Sequence, residues 1–259
     1  MLRIAGLLLA CFLALPALAQ DAAGFVVMHG KGGNPGRFVS ELASGLQTKG
    51  FLVENLEMPW SGRRNYDVTV AAAEDEVKQA LGRLRAKGAR KLFVAGHSQG
   101  GLFAFHLGGR LPLDGLVAIA PGGNVASELF KRELGAALEE AKAYVAAGKG
   151  AERQRLLDHE SRTYPVSAVP AAYVTWFDPD GAMNEFRALK ALPADLPVLY
   201  VSPTRDYPGL RRLRDAVASA LPKTPHTRVY EPDVDHLNSP AASVDEIARW
   251  AGEVIQAGK

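Results

Sequence analysis

The chain has 259 residues, 47% hydrophobic and 22% charged, with a formal net charge of +2. Disorder requires few apolar residues and a large net charge, so this composition excludes it. The 30 Lys+Arg against 28 Asp+Glu leave almost no basic surplus for a nucleic-acid module, and the length suits one larger domain or two small ones, enough to bury a core without disulfides.

Residues 1–19 read as a secretory signal peptide. Arg3 gives a short positive start, residues 4–15 are apolar, and Ala17-Leu18-Ala19 has the small-x-small form of a cleavage site. The apolar run is short for a membrane span, and no later stretch is long and apolar enough to be one. The only cysteine, Cys11, lies inside this segment. A lipoprotein reading of Leu8-Leu9-Ala10-Cys11 is opposed by the apolar residues that continue past it. A cysteine-free mature chain neither needs nor fears an oxidising compartment. The expectation is an exported protein, periplasmic in a Gram-negative cell and otherwise secreted.

From residue 20 onward strands and helices alternate. Strands are expected at 25–28, 51–56, 91–95, 116–120, 197–202 and 227–230. Helices are expected over 36–49, 67–87, 99–110, 208–221 and 241–255, all but 208–221 on apolar residues at helical spacing, such as Val70, Val77, Leu81 and Leu84. Apolar strands alternating with amphipathic helices imply a doubly wound α/β fold, its parallel sheet covered on both faces.

The alternation breaks over 122–193, which reads as a cap insertion within a single domain, 20–259. A long helix is expected over 127–146, with Phe130, Leu134, Leu138 and Val145 on one side. A shorter helical piece is expected near 152–160, extended chain over 173–177, and a helix start at Asp178-Pro179.

The strongest local signal is Gly96-His97-Ser98-Gln99-Gly100, placed between a strand and a helix. A G-x-S-x-G turn there is so tight that the flanking positions must be small, and it lifts the serine above the sheet in a strained conformation. An ordinary glycine-rich helix start explains the glycines but not the flanking strand and helix. Serine is a poor nucleophile unaided; it needs a base in reach and an acid to orient that base.

With this motif the sequence resembles the α/β-hydrolase superfamily, of the exported serine esterase or lipase kind, over nearly the whole mature chain. The resemblance implies the chain order Ser98, then an acid past the strand after the cap, then a histidine past the last strand. Asp206 and His236 occupy those positions, with Asp233 and Asp235 as competing acids. His97, His106, His159 and His226 read as structural. The resemblance also implies an oxyanion hole made by the backbone N–H of Gln99 and of Lys31, in His29-Gly30-Lys31-Gly32-Gly33, with Gly32 as the near alternative. Two departures stand out. The two strands that commonly precede the His-Gly strand are missing, so about six strands are expected. Pro203-Thr204-Arg205 also replaces a glycine-containing turn before Asp206.

Trp60 and Trp176 are candidate substrate-binding residues, weighed against core packing. Lys31, Arg37, Arg63 and Arg64 either give the mouth a positive field or form a solvated face. No cofactor or metal is implied. The glycine loop lacks the Gly-Lys-Ser/Thr of a P-loop, and Asp178-Pro179-Asp180-Gly181 lacks the ligand series of a calcium loop and reads as a turn. The expected function is a serine hydrolase cleaving a carboxylic ester of a small to medium substrate through an acyl-enzyme. The same triad acting on thioesters or amides remains open, as does a non-catalytic envelope binding module on this fold.

Overall fold

The computed structural model describes residues 22–258. The signal-peptide segment and Cys11 lie outside the described residues.

Six strands form one parallel sheet: β1 (Ala23–Met28), β2 (Leu52–Leu56), β3 (Lys91–His97), β4 (Gly115–Ile119), β7 (Val198–Val201) and β8 (Arg228–Tyr230), in the spatial order β2-β1-β3-β4-β7-β8. The order reverses between β1 and β3. In such sheets the crevice beyond the strand ends at the reversal is where ligands bind.

Side chains alternate across each strand, which divides the core in two. Val26, Met28, Val94, Leu116, Ala118, Val198 and Tyr200 face one layer. That layer holds α2 (Val70–Ala86), α3 (Gln99–Gly108) and α7 (Pro208–Ala220). Phe25, Val27, Phe93, Ala95, Val117, Ile119, Leu199 and Val201 face α1 (Ser40–Thr48) and α9 (Val244–Ala257) on the other side. Covering both faces removes the need for polar positions, which is why these strands read as continuous apolar runs. The expected final helix is divided at Ser243 into α8 (Ser239–Ala242) and α9.

Between β4 and β7 lie α4 (Glu128–Ala146), a hairpin β5 (Gln154–His159) and β6 (Thr163–Ala168), α5 (Pro170–Phe177) and α6 (Glu185–Lys190). Helix α4 forms as expected and buries Leu134, Leu138 and Ala141, but Val145 at its end is exposed; the Ser127 hydroxyl caps the helix by accepting the Phe130 N–H at 3.3 Å. Three expectations in this segment are overturned. The piece near 152–160 is a strand. Leu156 and Asp158 point inward in alternation, and Leu156 pairs with Val166 across an antiparallel ladder. Residues 173–177 are helical, not extended, because Pro170 stands at the start of α5, where its missing N–H costs nothing. Asp178 ends that helix and starts none: its carboxylate accepts the Asp180 N–H and its carbonyl the Gly181 N–H, a turn. The next helix begins later, where the Asn184 side chain accepts the Arg187 N–H at 3.1 Å.

Candidate active site

At the end of β3 the chain turns directly into α3, and the turn leaves no room for side chains at its flanks. A Cβ on Gly96 would stand 1.9 Å from the Gly100 carbonyl oxygen, and one on Gly100 would stand 2.6 Å from that of Met28. Ser98 between them has φ +55° and ψ −117°, a conformation that L-residues rarely adopt. It is held there by its own backbone. Its N–H donates to the Ile119 carbonyl, and its carbonyl accepts from Gly101, Leu102 and Gly122. Gly122 keeps the approach open, since a Cβ there would lie 3.7 Å from Ser98 Oγ.

Asp206 and His236 arrive on two loops that run side by side. Beyond β7 and β8 the pairing continues: Ser202 N–H donates to the Tyr230 carbonyl, Thr204 to Pro232 and Arg205 to Val234. This brings His236 Nδ1 to 2.8 Å from Asp206 Oδ1, with both side chains buried. Asp206 Oδ1 also accepts the Tyr207 N–H at 2.6 Å. Donating from Nδ1 fixes the tautomer and leaves Nε2 as the acceptor nitrogen. The competing acids are occupied elsewhere. Asp233 accepts from Thr204 and pairs with Arg205, while Asp235 accepts the Asn238 N–H at 2.9 Å, which holds its carboxyl below the usual range.

Ser98 and His236 line one cavity of about 560 Å³, together with Lys31, Gln99, Phe130 and Tyr207. The Ser98 hydroxyl makes no hydrogen bond among the described residues, so the serine–histidine contact is not closed in this conformation. Such bonds commonly tighten only when substrate is bound. The N–H of Gln99 opens helix α3 and so has no helical acceptor. In the glycine loop, Gly32 N–H is committed to the Trp60 carbonyl at 3.0 Å and Gly33 N–H to Gly30 at 3.1 Å. Of the two donors considered there, Lys31 N–H is the one without a backbone partner among the described residues.

A family model for the Alpha/beta hydrolase family matches residues 25–250. The chain belongs to that family. No curated protein matches the chain. Among solved structures it resembles the metagenome-derived lipolytic enzymes LipS and LipT (18% identity, TM-score 0.60), covering 92% of this chain and 95% of that one. It resembles the monoacylglycerol lipase of Paleococcus ferrophilus at 20% identity and TM-score 0.59, covering 91% of this chain and 95% of that one. Est1E from Butyrivibrio proteoclasticus is similar at 15% identity and TM-score 0.59, over 93% and 90% of the two chains.

Several residues of this α/β hydrolase stand elsewhere than the sequence suggested. Trp60 and Trp176 do not line the cavity. They are 2% and 1% exposed and pack edge to face with centroids 5.4 Å apart, their indole N–H groups donating to the carbonyls of His29 and Val68. Their size and their polar edge both find partners in the core, so the substrate-binding expectation is withdrawn. The proposed positive field is mostly neutralised. Lys31 pairs with Asp158, Arg63 with Glu57, and Arg64 with Glu76 and Asp67. Arg37 alone of the four has no acidic partner among the described residues; its guanidinium lies 4.6 Å from the Phe38 ring centroid at the cavity.

Two contacts were not anticipated. His97, beside the serine, places its Nε2 2.9 Å from the His236 carbonyl and its ring 4.7 Å from the His236 ring. Burial, with the neighbouring His236 second, lowers its pKa to about 3, so it is neutral and donates that bond. Tyr207 also lays its ring beside that of His236, centroids 4.6 Å apart. Each of the two adjoins an expected site residue in sequence, and that adjacency was the available signal. His29 is similarly internal: its Nδ1 donates to the Gly30 carbonyl, its Nε2 accepts the Met58 N–H, and burial lowers its pKa.

Proposed function

We propose that this α/β hydrolase is a serine hydrolase that cleaves a carboxylic ester of a small to medium substrate. The observation that carries the reading is the 2.8 Å bond from His236 to Asp206 beside a strained Ser98 on the same cavity. Ser98 Oγ attacks the ester carbonyl carbon while its proton passes to His236 Nε2. Asp206 holds the ring and stabilises the imidazolium. The carbonyl oxygen becomes an oxyanion between the N–H groups of Gln99 and Lys31, whose fixed dipoles need no reorganisation as charge develops. The carbon–oxygen bond then breaks, and His236 returns the proton to the departing alcohol. Water, activated by His236, attacks the acyl-enzyme and releases the acid and free Ser98.

The apolar side chains on the cavity, Phe38, Leu129, Phe130, Leu210 and Leu237, suit an acyl group or aromatic acid of moderate size. Est1E has been solved with ferulic acid bound, which makes a hydroxycinnamoyl ester a sensible member of a substrate panel. We further propose, on the strength of the segment 1–19, that the protein is exported, to the periplasm if the cell is Gram-negative and otherwise into the medium.

Chromogenic esters of graded acyl length, with wild type and Ser98→Ala, test the reading. The wild type should turn over and take a fluorophosphonate label at Ser98. The variant should do neither while unfolding at the same temperature. A folded wild type that refuses the label overturns ester hydrolysis in favour of a binding module. A labelled enzyme that turns over only thioesters or amides moves the substrate class.

A further inference from the structure

Five positions, His29 to Gly33, lead out of β1 into its loop, and three of them are glycines: Gly30, Gly32 and Gly33. Glycines give a loop sharp turns but nothing to grip. Lys31 is the exception, and its side chain does not reach into solvent. It is 7% exposed, with Nζ 2.5 Å from Asp158 Oδ1 and 2.9 Å from the His159 carbonyl. The ammonium also lies 5.2 Å from the Phe130 ring centroid and 5.6 Å from that of Phe177. Asp158 stands on β5, in the insertion, and is itself fully engaged. Its Oδ1 also accepts the His159 N–H at 2.7 Å, and its Oδ2 accepts the hydroxyls of Tyr66 at 2.8 Å and Tyr164 at 3.3 Å. Tyr66 is anchored in turn, its N–H on the Pro59 carbonyl and its carbonyl accepting from Val169.

We propose that Asp158 is a positioning residue for the oxyanion hole, acting through the side chain of Lys31 to aim the Lys31 backbone N–H. The inference rests on the hydrolase reading above and extends it: the insertion belongs to the catalytic apparatus as well as to the wall of the cavity. The physical case has three parts. An oxyanion donor works only if it is aimed before charge develops. The peptide that carries the Lys31 N–H is held at one edge, where the Gly30 carbonyl accepts from the Gly33 N–H and from His29 Nδ1, and the Lys31 side chain supplies the anchor at the other. A buried, fully satisfied ion pair has one arrangement, because any swing would leave a charge without a partner in a low-dielectric site. Three segments distant in sequence, the loop after β1, the loop after β2 and the hairpin, therefore converge on a single carboxylate.

The test uses Lys31→Met and Tyr66→Phe in the full mature chain, with p-nitrophenyl butyrate as substrate. Methionine keeps the apolar stem beside Phe130 and Phe177 and the backbone N–H; it removes the anchor and leaves Asp158 without its cation, a cost that the unfolding temperature reads separately from kcat. It should lower kcat by about 10- to 100-fold, the scale of a donor displaced by a fraction of an ångström to an ångström, with KM within about twofold. The rate of fluorophosphonate labelling should fall by the same factor, since the phosphoryl oxygen takes the same donors. Tyr66→Phe removes one bond to Asp158 without changing the packing and should lower kcat by roughly threefold at constant KM. A merely structural ion pair predicts a lower unfolding temperature and unchanged kcat well below it. Unchanged kcat in both variants, with a labelled wild type and an inert Ser98→Ala, overturns this proposal alone. A wild type that takes no label overturns the hydrolase reading and this one with it. Should Lys31→Met fail to fold, Tyr66→Phe decides by itself.

Discussion

Gly96 and Gly100 shape the turn at Ser98 from within one short motif, whereas Asp158 on β5 is held by Lys31 and Tyr66, 127 and 92 positions away. Both regions border the candidate site, yet they are specified by different physics. The elbow is a steric statement: the nearest backbone oxygen leaves no space for a methyl group, so only one kind of residue fits. The hairpin is a statement about partners, and its strands have no ladder to the main sheet. Locally specified structure announces itself in sequence, and structure specified by distant partners does not.

The most damaging break is therefore expected at the elbow. Gly96→Ala places a Cβ against the Gly100 carbonyl at 1.9 Å, a backbone atom that cannot step aside without opening the turn. The variant should lose on the order of 4 kcal/mol or more, or fail to accumulate as folded protein, as read by urea unfolding and circular dichroism. Gly82→Ala supplies the control. Nothing lies within 4 Å of its would-be Cβ, and α2 should tolerate it or gain slightly. Comparable losses at the two positions would remove the steric account.

The same contrast explains what was legible. The four inner strands were readable because burial on both faces makes a parallel strand apolar throughout, while the half-buried edge strands β2 and β8 carry Glu54, Asn55 and Arg228 among their apolar residues; the outer helices such as α2 and α9 carried one apolar stripe. Asp206 and His236 came from chain order, and the structure hydrogen-bonds them to each other. The hairpin was misread because β5 has only one aliphatic inward position, Leu156; the next inward residue is Asp158, whose neutralising Lys31 sits in another loop. Residues 173–177 read as extended in sequence because a proline before an aromatic run, here Pro170, looks the same whether it breaks a helix or begins one. The tryptophans were misplaced for a related reason. Position beyond a strand end says where a side chain starts, and the hydrogen-bond acceptors at His29 and Val68 say where it ends.

The second prediction bears on the wall behind His236. His97 is buried and neutral, with its pKa lowered to about 3 by desolvation. In the unfolded chain it titrates near its ordinary value, so the unfolded state binds more protons as acidity rises. Its contribution is thus neutral above the unfolded pKa of about 6.5, and stability is lost progressively as pH falls from there towards about 3, by a few kcal/mol in all. His29, lowered in the same direction by burial, adds to the trend. His97→Gln retains a donor for the His236 carbonyl and removes the titration. It should cost about 1–2 kcal/mol at pH 7 and show a shallower decline between pH 6.5 and 4, measured by urea unfolding at each pH. A decline as steep as that of wild type would exclude His97 as its source.

A comparable effect, without the pH dependence, is expected in the core between the two regions. Trp176→Phe removes the bond to the Val68 carbonyl and part of the packing on Trp60 and Phe103. It should lower stability by roughly 1–3 kcal/mol and leave KM for short and medium esters unchanged. A rise in KM without loss of stability would restore Trp176 to the substrate.

The smallest effect is expected where neither kind of specification operates. Arg37 borders the cavity, rests on the Phe38 ring and has no acidic partner among the described residues, unlike Lys31, Arg63 and Arg64. Being exposed, its charge acts through high dielectric and is screened within a Debye length of about 8 Å at physiological salt. Arg37→Ala should therefore leave kcat/KM for neutral esters within about twofold. For an ester carrying a free carboxylate the loss should reach about threefold at low salt and vanish near 1 M, where screening acts over about 3 Å. The salt dependence is the informative part. A loss that persists at high salt would mean a direct, desolvated contact between guanidinium and substrate, and Arg37 would then belong with Asp158 among residues defined by a partner.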